Sequence, residues 1–229
     1  MKILAISDTH CMHNNFTDDY FKDVDIIIHA GDCSNIRDPY RNEHEVRDFL
    51  TWFHSLPIKH KIYVAGNHDT SIEKGLIDKE TFNDLGIIYL CHETVEVEGI
   101  KIFGSPYTPT FNDWAFNRDR GKLARYWDAV PKDIDILVTH GPPKYILDIS
   151  TNREGIIEYC GDKSLLNKVL EIQPKYHIFG HIHNYLDHQN AGTKTIPDCS
   201  TIFMNVSCVV DGRFNYGLSS YGQKIDYNG

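Results

Sequence analysis

Nowhere in the 229 residues is there an apolar run near the roughly 18 residues that a membrane-crossing helix requires. The N-terminal stretch Met1 to Asp8 turns polar after one strand's length, so neither a spanning segment nor a secretory signal is expected. Basic clusters are missing too: 23 Lys and Arg face 32 Asp and Glu, a net charge of −9, which argues against binding to duplex nucleic acid. The six cysteines, at 11, 33, 91, 160, 199 and 208, have neither zinc-ligand spacing nor the density of a disulfide scaffold. Reduced thiols and a cytoplasmic location are the expectation. Internal repeats and Pro- or Ser-rich linkers are absent as well, and the length suits one hydrophobic core, so residues 1–229 are expected to form a single domain. Hydrophobic residues at 41% and charged residues at 24% exclude a disordered chain.

What the chain does have is histidine, 13 in all, several of them beside Asp, Asn and Gly just after apolar runs. Five such runs read as buried strands: Lys2 to Ser7, Asp25 to Ala30, Lys61 to Ala65, Ile134 to Thr139 and Tyr176 to Gly180. Their continuous apolar character suggests a sheet covered on both faces. Helical spacing marks Glu43 to Leu56, ended by Pro57, then Ser164 to Ile172 ahead of Pro174, and more weakly Arg118 to Ala129. Around Glu98-Gly99 the alternation of Val95, Val97, Ile100 and Ile102 predicts a hairpin. Thr193 to Gly217 reads as further short strands, so a second, partly antiparallel sheet is expected.

Each buried run ends in a polar cluster: Asp8-Thr9-His10, Gly31-Asp32, Gly66-Asn67-His68-Asp69, His140-Gly141 and Gly180-His181-Ile182-His183. In open α/β sheets ligands bind at the carboxyl ends of the strands, so five endings would converge on one crevice. Four His, two Asp and one Asn supply nitrogen and oxygen donors without thiolate, a set suited to Mn, Fe or Zn. Alternate residues of an extended segment share a side, so Asp8 with His10, and His181 with His183, can each reach one metal or two adjacent ones.

The ordered blocks D-x-H, G-D, G-N-H-D, H-G and G-H-x-H resemble those of the calcineurin-like metallophosphoesterases. Ile28 to Asp32, Gly104 to Pro109, Trp114 to Asn117 and Thr139 to Pro143 are similar to the metallophosphoesterase-domain-containing branch, itself similar to class III cyclic-nucleotide phosphodiesterases. The resemblance implies an α/β fold, a four-layer sandwich of two mixed β-sheets flanked by helices. It implies two divalent metal ions, the first held by Asp8, His10, Asp32 and His183, the second by Asp32, Asn67, His140 and His181. Asp32 would bridge, as suits two cations roughly 3.5 to 4 Å apart. His68 would give a proton to the leaving oxygen, with Asp69 orienting its ring. The implied activity is hydrolysis of small nucleotide phosphodiesters, such as cyclic nucleotides, by metal-activated hydroxide. A phosphomonoesterase or nucleotidase, or a non-catalytic scaffold on the same fold, are the alternatives.

Substrate contacts are expected from Asn67, from His13 in the first loop, and from Trp114 and Arg118 within the aromatic stretch Tyr107 to Arg118, which could stack a base or simply pack. His29 is expected to hydrogen-bond behind the ligands. Cys33 is expected to be a small buried residue, not a nucleophile. The partner is then a small phosphoester or nucleotide, and the sequence leaves the oligomeric state open.

Overall fold

Side chains of an extended strand alternate between faces, and the apolar runs of this chain use both. In Lys2–Ile6, Ile3 and Ala5 join one buried cluster while Leu4 and Ile6 join another on the opposite face. Ile26–His29 divides likewise, with Ile26 and Ile28 on one side and Ile27 on the other. Strands of this kind must be covered twice, which requires layers on either side. The computed structural model describes residues 1–152, 154–185, 188–211 and 216–228.

The five apolar runs divide between two sheets and do not share one. The first sheet has the order Gln223–Asp226, Lys2–Ile6, Ile26–His29, His60–Tyr63, Ile87–Tyr89, parallel except for its antiparallel first member. The second runs Gly192–Lys194, Ile202–Asn205, Tyr176–Phe179, Ile136–Thr139, Ile100–Ser105, Glu93–Val97, with parallel inner strands and antiparallel edges. Both sheets are therefore mixed. They pack face to face through Ile3, Ile28, Ile62, Ile102, Val138 and Ile178, all shielded from solvent.

Helix α1 (Pro39–Ser55) covers the outer face of the first sheet with Val46, Phe49, Leu50 and Phe53. It starts four residues before the apolar periodicity, because Asp38 accepts a hydrogen bond from the Arg41 N–H and Pro39 occupies the first turn. Short helices α2 (Thr70–Glu73) and α3 (Lys79–Asp84) add Ile72 and Phe82 to the same cluster. Helices α4 (Arg120–Asp128) and α5 (Lys163–Ile172) cover the second sheet with Leu123, Trp127, Leu165 and Val169. The result is a four-layer α/β sandwich.

The expected turn at Glu98-Gly99 is present, with both residues at positive φ and Val97 paired to Ile100. Of Thr193 to Gly217, residues 212–215 lie outside those described. The rest contains short strands joined by loops, including Val209–Asp211, which pairs antiparallel with Tyr216–Leu218. Helices α2 and α3 had no clear signal in the sequence, nor did two strand elements: the hairpin Ile149–Thr151 with Ile157–Tyr159, and the edge strand Gln223–Asp226. The first is too short and exposed to carry a buried-strand pattern. The second gains its place from the first strand beside it.

Candidate metal centre and active site

Parallel strands that all point the same way deliver their carboxyl ends to one edge, and there the polar clusters meet. Asp8, His10 and His183 place donor atoms within 4.8 Å of one another, and so do Asp32, His140 and His181. The Asp32 carboxylate lies between the groups, with Oδ2 at 3.3 Å from His140 Nε2 and 4.0 Å from His10 Nε2. Asn67 joins the second group through Oδ1, 2.9 Å from His140 Nε2. So close an approach requires bare backbone at Gly180, where a Cβ would fall 2.2 Å from the Asp8 carboxylate. Asp8, His10, Asp32 and His181 all adopt positive φ, between 41° and 69°.

Hydrogen bonds fix which ring nitrogen faces inward. His10 Nδ1 donates to the Ser34 carbonyl at 3.0 Å, and His140 Nδ1 to the Ala30 carbonyl at 2.8 Å. His183 Nδ1 donates to Asp211 Oδ1 at 2.6 Å. Each bond leaves Nε2 as the inward electron-pair donor. Thus His10 Nε2 and His183 Nε2 face each other at 3.3 Å, with Asp8 Oδ1 3.2 Å from the latter. Lone pairs so arranged require a cation or a proton between them, so the residues fit a metal.

Electrostatics agree with that reading. Burial lowers the pKa of His10 to about 4 and that of His181 to about 3, keeping both neutral. Burial also opposes charge on His183 and His140, but Asp8 and Asp211 raise the former to about 10 and Asp32 raises the latter to about 9. Without metal these two rings hold protons that an incoming cation must displace, so affinity increases with pH.

The site floors a cavity of about 940 Å³. Phe111, Trp114 and the Ile149–Thr151 hairpin line it, together with Arg120, Asp211 and Tyr216. His68 faces the same cavity, its ring 4.2 Å from Trp114 and 4.8 Å from His10. Its Nδ1 donates to the Asn35 carbonyl at 3.2 Å.

Several expected roles need correction. Asp69 does not orient the His68 ring: its buried carboxylate accepts from the N–H groups of Asp32, Cys33 and Gly66, from Tyr63 Oη and from Ser34 Oγ. It ties two ligand loops together, a structural task. His13 does not reach the cavity: it is buried beside Phe49 and Trp52, with Nε2 3.1 Å from Asp48. Positive φ at His10 and Cys11 turns the chain away before residue 13. Arg118 is likewise diverted, stacking 4.5 Å over Tyr107 near Glu73. Arg120 lines the cavity in its place, with its guanidinium held by the Cys160 and Gly161 carbonyls.

The aromatic stretch divides between packing and exposure: Phe116 is core, whereas Phe111 is exposed at the cavity and Trp114 half-buried against His68. His29 hydrogen-bonds Thr9 Oγ1 and the Gly31 N–H, bracing two ligand loops from behind. Cys33 is fully buried, and burial pushes its thiol pKa well up, as suits packing and not attack. All six cysteines are unpaired.

Two residues escaped sequence reasoning. Tyr216 stacks on His10 at 4.1 Å, and Asp211 bonds to His183. Both follow the last ligand block and carry no motif; only an acidic residue ending a short apolar strand hinted at Asp211. Asp211→Asn should weaken metal binding by about 10- to 100-fold, the usual cost of losing a carboxylate behind a ligating histidine. Titration with Mn followed by calorimetry checks this, and unchanged affinity would make the contact incidental.

A doubly covered pair of mixed sheets with two histidine and carboxylate clusters at their strand ends defines a metallohydrolase architecture. Residues 1–185 match the family described as calcineurin-like phosphoesterase, and the chain belongs to that family of metal-dependent phosphoester hydrolases. Metallophosphoesterase domain-containing protein 1 of human is 32% identical over 235 residues, covering 92% of this chain and 67% of its own length. A UPF0046 protein of Caenorhabditis elegans is 37% identical over 201 residues, covering 80% of this chain and 69% of its own length. Among solved structures, phosphopantetheinyl hydrolase of Mycobacterium tuberculosis shares the fold at a TM-score of 0.58, with 14% identity, 90% of this chain and 88% of its own covered. Among the described residues, no helix is long and apolar enough to cross a membrane.

Proposed function

We propose that this chain is a dinuclear phosphodiesterase that hydrolyses small nucleotide phosphodiesters, cyclic nucleotides among them, in a reducing compartment such as the cytoplasm. The observation that carries the reading is Asp32 set between two donor groups, beside His68, at the floor of a cavity of about 940 Å³. That volume suits a ligand much larger than phosphate, and Phe111 offers an exposed ring against which a base can stack.

Asp8, His10, Asp32 and His183 would hold one cation, and Asp32, Asn67, His140 and His181 the other, with Mn, Fe and Zn all compatible with these donors. Bound there, two cations supply Lewis acidity that activates water and offsets charge on the phosphoryl oxygens. The protein's own part is to orient and to move a proton. The Asn35 carbonyl keeps a hydrogen on His68 Nδ1, so the nitrogen facing the cavity is Nε2. From the imidazolium form, Nε2–H passes its proton to the leaving oxygen as the P–O bond breaks. Trp114 packs on the ring and limits its rotation.

A hydrolysis panel tests the assignment: 2′,3′- and 3′,5′-cyclic mononucleotides, bis-nitrophenyl phosphate and matched monoesters, each with Mn, Fe or Zn. The bis-esters should be cleaved faster than the monoesters, and activity should vanish on exhaustive chelation. Preference for monoesters would move the chain to the phosphomonoesterase reading, and inactivity on every ester to the scaffold reading.

A further inference from the structure

One face of α1 reaches into the active-site loops with two polar side chains three residues apart, Asn42 and Glu45. Asn42 is fully buried, and its Nδ2 donates to the carbonyls of Ile36 and His68. Glu45 is half-buried, and a single oxygen, Oε2, accepts the N–H groups of both Asn35 and Ile36 at 2.8 Å. Asn35 is the residue whose carbonyl receives His68 Nδ1–H, and its Nδ2 donates to the His10 carbonyl at 3.0 Å. The direction of that carbonyl therefore depends on two peptide groups, and the flanking N–H groups of both end on Glu45. No other described side chain accepts from either N–H.

We propose that Glu45 is a positioning residue for proton transfer: by clamping the Asn35 and Ile36 amides it aims the carbonyl that keeps a hydrogen on His68 Nδ1 and fixes the direction of the ring. It is in neither donor group and does not line the cavity; it acts on His68 through the Asn35 and Ile36 amides, and its carboxylate also lies beside the Cys11 thiol. A carboxylate is suited to the task because one ionised oxygen accepts two N–H bonds at short distance, each stronger than a neutral pair. A Gln carbonyl also has two lone pairs and can hold both, more weakly. The proposal rests on His68 being the proton donor, and the experiment separates the two ideas.

Glu45→Leu, Glu45→Gln and His68→Ala are compared with the parent protein, all loaded with Mn, on a nitrophenyl diester and on a diester with an alkoxide leaving group. Metal content and melting are measured alongside. Glu45→Leu should lower kcat on the alkoxide ester by about 10- to 100-fold, the cost of misaiming a catalytic group. It should leave KM and Mn content unchanged, with little loss on the nitrophenyl ester. Glu45→Gln should restore kcat to within a few-fold, and Glu45→Leu placed on His68→Ala should add nothing further. Should the Leu variant fail to fold, Glu45→Asp, too short to hold both amides, takes its place with the same expectation. Equal loss on both esters, loss of metal, or full additivity with His68→Ala would overturn the role of Glu45 while His68 keeps its own. If His68→Ala itself is insensitive to the leaving group, the proton-donor reading fails, and the proposal with it.

Discussion

Asp32→Asn should abolish turnover and empty both metal positions. Asp32 is fully buried, and His140 holds its carboxyl well below the ordinary range, against burial and together with His68 and His10. Asn is nearly isosteric, tolerates the positive φ of 60° found here, and keeps an oxygen for the His68 N–H that now bonds Oδ1 at 2.6 Å. The fold therefore survives while the charge shared by the two groups is lost. Removing one member of a buried charge pair costs about 3 to 5 kcal/mol, which at 1.36 kcal/mol per tenfold is roughly 10² to 10⁴ in affinity at each position. Elemental analysis after Mn loading and gel filtration should find far less than the two ions per chain expected of the parent, with turnover down by about the same factor. Cys33→Ser, one residue on, should leave both nearly intact. An Asp32→Asn protein that still carries two ions would remove the bridge from the mechanism.

His68→Ala should separate chemistry from metal binding. Deleting a general acid costs roughly 10² to 10⁴ in rate when the leaving group is a poor one. A nitrophenolate needs little protonation, so on that ester the loss should be small. Metal content should not change, because the His68 ring contacts the first ligand group only edge-on, through His10. Rates on the two esters, with metal analysis on the same samples, decide the matter. Equal losses would make His68 a packing residue beneath Trp114.

The two donor clusters were legible because each donor sits in a short string at the end of its own apolar run, and parallel strands carry such ends to one edge. Division of those runs between two sheets was not legible: Lys61 to Ala65 and Ile134 to Thr139 are equally apolar, and periodicity does not name a neighbour. Proximity in sequence misled at His13, Asp69 and Arg118. At His13 the left-handed turn reverses the chain; at Asp69 the amides of the Asp32 loop claim the carboxylate; at Arg118 the short pairing of Asn117–Arg118 with Thr108–Pro109 sends the side chain to Tyr107. Asp211, Tyr216 and Glu45 act by long-range contact from segments without any motif. Only the folded chain brings Tyr216 to His10, Asp211 to His183 and Glu45 to the amides behind His68.

The positive φ angles at Asp8, His10, Asp32 and His181 bear on how this chain can change over generations. A non-glycine residue held in that region stores about 1 to 3 kcal/mol of strain, and four of the proposed ligands are so held. In the metal-free chain, Gly at the neutral rings His10 or His181 releases that strain, whereas at Asp8 and Asp32 the ion pairs with His183 and His140 oppose the exchange. Selection for folding alone would therefore act unevenly on the site, eroding the two rings before the two carboxylates. A member of this family relieved of metal binding would lose the two rings first and keep the two carboxylates longest.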